Sequence, residues 1–301
     1  MRSWRAPVLV LVLLAMLPLA SLLPLLPVAL LVWSQRSHAD DPHGRRGREL
    51  LAQEHYAEAL AELRQAPDDI FVRLDVAICL GHVGKDDEAL AAFDCAIGDG
   101  AWWPPYREKA HFLHRRRGLD AAVDWLGGLA ASQPAAHKFP YLLGSFLMEA
   151  GETARAVPAY ERAVELAAGA HGFHFDAEGR LSLDAATLAH ANNDFADLWP
   201  TLEELAACQF ALGQLDAAMR TATMTITVGQ QLNRCKGYYQ PAEVEAGSVP
   251  GRLIAARVYI QRGAFAAAEV ELAQAAALAR DGYYAPKVEA ARNDLAAARA
   301  R

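Results

Sequence analysis

The sequence holds no catalytic signature. It has no GxSxG elbow, no phosphate-cradling glycine loop, no HExxH pair and no nucleophile with an evident base, so no catalytic residue, metal or cofactor is expected. Cysteine is sparse: Cys79, Cys95, Cys208 and Cys235 form no CxxC, no CxxCH and no zinc-ligand spacing. Two disulfides would be permitted by the count, but in the helical register below neither sequential pair falls opposite across a hairpin. Positive charge is also short, with 29 Lys and Arg against 36 Asp and Glu and a net charge of -7. Arg2, Arg5 and Arg36 belong to a leading segment without acids, so the remainder of the chain carries -10. A body this acidic repels phosphate backbones, and no basic stripe interleaves with aromatics, which excludes nucleic acid as the partner.

What is plentiful is apolar surface. Of the 301 residues, 53% are hydrophobic, enough for a continuous core, and much of that share is alanine, the strongest helix former. An all-α protein is expected. The richness in alanine and arginine suits a bacterial source.

Val8 to Trp33 is a run of 26 apolar residues broken only by Ser21, Pro18, Pro24 and Pro27, with Arg2 and Arg5 ahead of it. This exceeds a signal-peptide core of roughly 7–15 residues and is long enough to span a bilayer. Prolines are tolerated there because neighbouring groups satisfy the freed carbonyls. Residues 1–39 are therefore expected to be an uncleaved anchor in an inner membrane, single-pass, with the body in the periplasm. The alternative is cleavage at Ser37-His38-Ala39 and release to the periplasm. Positive charge flanks both ends of the span, since Arg36, Arg45, Arg46 and Arg48 follow it.

The stretch from Gly151 to Leu166 places a glycine, an alanine five residues later, an aromatic four beyond and an alanine three beyond that. The same spacing recurs around Ala59, Ala89, Ala122, Ala156, Ala218 and Ala268. Twelve before each stand Gly47, Ala77, Ala110, Gly144, Ala206 and Ala256, all small. Four after each stand Leu63, Phe93, Leu126, Tyr160, Ala222 and Leu272, large except Ala222, and placed to fill the gap between successive hairpins. Turn glycines precede the anchors at Gly84, Gly118, Gly151, Gly213 and Gly263. This pattern resembles the tetratricopeptide repeat family. The resemblance implies a right-handed α-solenoid of about six helical hairpins over residues 40–301, ending in a cap helix at 287–301. An ordinary alanine-rich bundle is the alternative.

Two insertions interrupt the period, near 169–199 and 229–249. In the first, the alternation from His171 to Leu183 around Glu178-Gly179 suits a small β-hairpin, with a short helix at 185–191 to follow. His171, His174 and Asp176 there carry metal-ligand residue types, the basis of an alternative reading as a metal- or cofactor-dependent carrier or enzyme. A purely structural solenoid is a further alternative. The resemblance also implies that first helices line a groove, with Phe71, Leu74 and Ile78, then Arg107, His111 and His114, then Lys138, Tyr141, Ser145 and Met148 facing it. Those residues suit a protein partner or an extended peptide with an acidic or carboxylate end. The Lys/Asn clamp of chaperone-tail-binding members is absent.

Overall fold

A computed structural model describes residues 41–98, 103–182, 195–232, 246–279 and 283–301. These form thirteen helices and one β-hairpin. The helices are α1 (Pro42–Ala52), α2 (Tyr56–Leu63), α3 (Ile70–His82), α4 (Asp86–Gly98), α5 (Pro104–Arg117), α6 (Leu119–Ser132), α7 (Lys138–Glu149), α8 (Thr153–His171), α9 (Phe195–Ala211), α10 (Leu215–Leu232), α11 (Val249–Gln261), α12 (Phe265–Leu278) and α13 (Ala285–Arg299). The strands are β1 (His174–Phe175) and β2 (Leu181–Ser182), antiparallel, with His174 opposite Ser182. The expected membrane span and the short helix at 185–191 lie outside the described residues. Among the described residues no helix is long and apolar enough to cross a membrane.

The chain divides into two compact units, Met1–Phe112 and Leu113–Arg301. In the first, each helix from α1 to α4 packs on the next and α1 also meets α3. In the second, each helix from α6 to α13 packs on the next (the β-hairpin intervenes only in sequence), while α9 also meets α11 and α11 meets α13. Contact with the next helix and the next but one is the pattern of stacked helical hairpins.

The repeat positions explain the packing. All six anchor alanines are fully buried, as are Ala77, Ala110, Ala206 and Ala256. A Cβ on Gly47 would lie 2.6 Å from Leu63 Cγ, and one on Gly144 would lie 2.8 Å from Tyr160 Cδ1. Leu63 and Tyr160 therefore press on the small residue of their own hairpin rather than acting only between hairpins. Phe93 does serve the junction, with its ring 5.7 Å from that of Phe112 on α5. Ala222, the odd one out, has a direct cause: a Cβ on Gly251 would stand 2.5 Å from the Ala222 carbonyl oxygen. Here the α10 backbone at Ala222 meets α11 at Gly251, leaving no room for a large side chain at position 222.

The hairpin turns share one chemistry. Gly84, Gly118, Gly151, Gly213 and Gly263 all have φ between 71° and 91°, in the left-handed region that a Cβ disfavours. At Gly151 the next amide, Glu152 N–H, donates to Leu147 O at 2.8 Å while Gly151 N–H donates to Met148 O at 3.0 Å, the Schellman arrangement that satisfies the last carbonyls of a helix. The turn between α1 and α2 has the same two bonds, His55 to Leu50 and Glu54 to Leu51, but Glu54 sits at φ 63° with a side chain in place of glycine.

The expected insertions are narrower than drawn. α8 runs through Gly169–His171, α9 starts at Phe195, and α10 carries Gly229 through to Leu232. The β-hairpin docks on α10: Leu181 N–H donates to Thr227 Oγ1 at 3.3 Å, and a Cβ on Gly179 would collide with Arg220 O at 2.4 Å. The stretch expected as a cap, 287–301, is covered by α13, which buries Val288, Ala291 and Leu295.

Two substitutions test this account. Gly144→Ala forces its new methyl into Tyr160, which is 1% exposed and has no room to yield, so urea unfolding should report a loss of about 1–3 kcal/mol. Glu54→Gly relieves the left-handed strain and should raise the stability of the first unit by about 1 kcal/mol.

Candidate functional site

The ten groove candidates fall in both units and differ in how far packing has already used them. In the first unit Phe71 is exposed, at 55%, whereas Leu74 is buried at 7% within the core cluster of α1–α4, so it offers little to a partner. Ile78 is half-buried against the same cluster. Arg107 and His111 are half-buried on α5.

In the second unit His114 stands edge-on to Phe146, with ring centroids 5.7 Å apart. Lys138 places its ammonium 4.9 Å from the ring centre of Phe139 at the start of α7. Tyr141 packs at 6.0 Å from Tyr160, and Ser145 bonds the Tyr160 hydroxyl, whose acidity burial suppresses. Met148 Sδ lies 3.1 Å from Cys208 Sγ of α9. Tyr141, Ser145 and Met148 are half-buried: each has one side on the core and one side in reach of solvent.

The same register, carried to the remaining anchors, reaches residues that the sequence reading passed over. Fifteen before Ala218 is Glu203, whose carboxyl is raised by burial and held partly in check by the Lys287 charge. Its neighbour Glu204 is raised for the same reason. Glu204 nonetheless keeps exposed surface. Lys287 itself lies 3.9 Å above the Tyr283 ring and 5.4 Å from that of Tyr284, and Tyr284 bonds Glu203. The sequence signal was available in the spacing, but nothing in it joined α9 to α13.

Eleven before Ala59 is Arg48, which faces Asp75 of α3. Desolvation pushes the Asp75 carboxyl up to about 6, with Arg48 opposing and Asp69 adding to the shift. Asp75 Oδ2 has no hydrogen-bond partner among the described residues. Cys79, one turn on, is also pushed up to about 12 by burial.

The alternative metal site is not assembled among the described residues. Asp176 spends its carboxylate on the turn, accepting from Arg180 N–H at 2.8 Å and Glu178 N–H at 3.0 Å, and these bonds hold its pKa below the usual carboxylate range. His174 is exposed on β1, and the side chain of His171 lies outside the described residues. Among the described residues no three His, Cys, Asp or Glu side chains are grouped to hold a metal ion.

No family model and no curated protein matches the chain. It is similar to solved structures at low identity. PilF of Pseudomonas aeruginosa shares 13% identity over 86% of this chain and 99% of its own, with a TM-score of 0.37. A tetratricopeptide repeat protein from Parabacteroides merdae shares 13% over 87% and 99%, with 0.30. The TPR2AB domain of yeast Sti1, solved with pHSP90, shares 12% over 84% and 97%, with 0.32. Superpositions at these scores do not establish a shared architecture, and the hairpin register stands on the residues above.

The buried Asp75 carboxyl gives a pH signature. A carboxyl raised in the folded chain is ionised first in the unfolded one, so stability falls as pH rises from about 4 to about 6 and stays low above it. Asp75→Asn should flatten that fall and add about 1–2 kcal/mol at pH 7.5, less than the full shift implies because the carboxyl keeps some solvent contact. Thermal melts of both proteins across pH 4–8 check this.

Proposed function

We propose that the chain is a non-catalytic scaffold of tetratricopeptide type that holds a protein partner, or an extended peptide segment, along the first helices of its hairpins. One observation carries the reading. Both helices of each hairpin supply buried contacts, α7 through Phe139, Leu142, Gly144, Phe146 and Leu147, while Tyr141, Ser145 and Met148 recur on another side of α7 with a surface left for solvent. A half-buried aromatic beside a hydroxyl and a thioether is a surface that gains from further burial without having to order flexible chain. Arg107 and His111 give the first unit a polar counterpart suited to carboxylates. The proposal places the chain in a bacterial inner membrane, tethered through residues 8–33 with its body in the periplasm, on the strength of the apolar run alone.

A photo-crosslinking residue placed at Ser145 should capture a discrete partner in intact cells, whereas the same residue at Glu165, exposed on α8, should capture none. Tyr141→Ala with Arg107→Glu should cut the Ser145 adduct at least fivefold at unchanged protein level. Equal capture from both positions would refute a first-helix binding face. A periplasmic reporter fused after Arg301 tests the orientation; activity only for a cytoplasmic reporter would reverse it.

A further inference from the structure

The second unit contains a recess of about 720 Å³ that the reading above does not use. It lies at the carboxyl ends of α9, α11 and α13, all of which the described residues cover at that end. Its floor is apolar: Phe210, Ile260 and Phe265. Phe210 and Ile260 stand eight residues before Ala218 and Ala268, the register position that Met148 holds in the preceding hairpin, so the recess continues the first-helix face. Its walls are charged, with Arg257 on α11, and Asp294 and Arg301 from α13 and the residues after it.

Arg257 and Asp294 are the unusual part. They line the same recess with opposite charge, yet they do not pair with each other, and among the described residues neither makes an ion pair or a side-chain hydrogen bond. Nearby charges behave differently: Arg252 is paired with Glu271 at 2.8 Å, Arg262 with Asp216, and Arg299 with Glu269. Here a guanidinium and a carboxylate line one recess with an apolar floor and stay unpaired. A guanidinium fork recognises a carboxylate, a carboxylate recognises an ammonium or guanidinium, and the floor takes a hydrophobic side chain.

We propose that this recess binds a peptide segment bearing an apolar residue flanked on one side by an acidic residue, held by Arg257, and on the other by a basic residue, held by Asp294. The inference rests on the scaffold reading and specifies the chemistry of the segment at this end of the face. The complementary charges set the direction in which the segment lies, since reversing it would place like charges together.

The test uses the full chain, purified in detergent, and fluorescein-labelled, end-capped peptides containing one Glu, one Phe and one Lys separated by one to three alanines, read by fluorescence anisotropy. At least one spacing should bind, and Glu→Gln, Lys→Gln or Phe→Ala in that peptide should each weaken binding at least fivefold. In the Arg257→Gln protein the Glu and Gln peptides should bind alike while the Lys preference persists. Asp294→Asn should do the converse. Because each protein variant retains the other discrimination, loss of folding cannot imitate the result. No binding at any spacing, charge preferences that survive both substitutions, or free phenylalanine competing as well as the peptide would overturn the proposal. If it fails while Ser145 still captures its partner, the scaffold reading stands and only this site is lost; if Ser145 captures nothing either, both fall.

Discussion

Two helices of a hairpin can stack only if their backbones come close, and closeness is limited by the side chain at the crossing. Throughout this chain the limit is met by pairing almost no side chain on the first helix with a large one on the second. Gly144 beneath Tyr160 is the clearest instance, since there is no space for even a methyl group. The large ring then closes the interior, so the small residue sets the distance and the large one supplies the dispersion contacts. Where both partners are small, as with Ala222 and Gly251, the helices approach until backbone meets backbone. Every surface available to a partner is a remainder of this arrangement, because positions on the first helix that do not face the second are free to carry chemistry.

Much of the fold was legible for that reason. A steric constraint repeated at a fixed interval leaves a trace in the residues themselves, and Ala156 with Gly144, Tyr160 and Gly151 was enough to find it. The turn glycines were equally readable, because a left-handed residue has a strong preference for lacking a Cβ. Glu54 was not readable: the turn it occupies is closed by the same backbone bonds, and those bonds leave no mark on the side chain. Ala222 could not be interpreted from sequence either, since its cause is Gly251, on a helix whose approach the spacing does not encode.

The candidate face was legible in position and less so in use. Tyr141, Ser145 and Met148 retain exposed surface as the register implied, while Leu74 is drawn into the core because the first hairpins pack it from both sides. The raised carboxyls of Glu203 and Glu204 depend on Lys287 of α13 coming near α9, and the charged recess at Arg257 and Asp294 on α13 lying against α11, tertiary relations with no local signature. Asp176 illustrates the opposite error: a residue type suited to a metal serves a turn, its Oδ1 accepting two backbone amides of that turn.

Near the end of α10, a Cβ on Gly229 would overlap the Gly247 carbonyl, at 2.1 Å. Helix α10 and the entry to α11 are thus tied at one point, where backbone meets backbone with no side chain between. A side chain at Gly229 would push the two apart, so this one residue controls how the last hairpin sits on the one before it while leaving the core of each untouched.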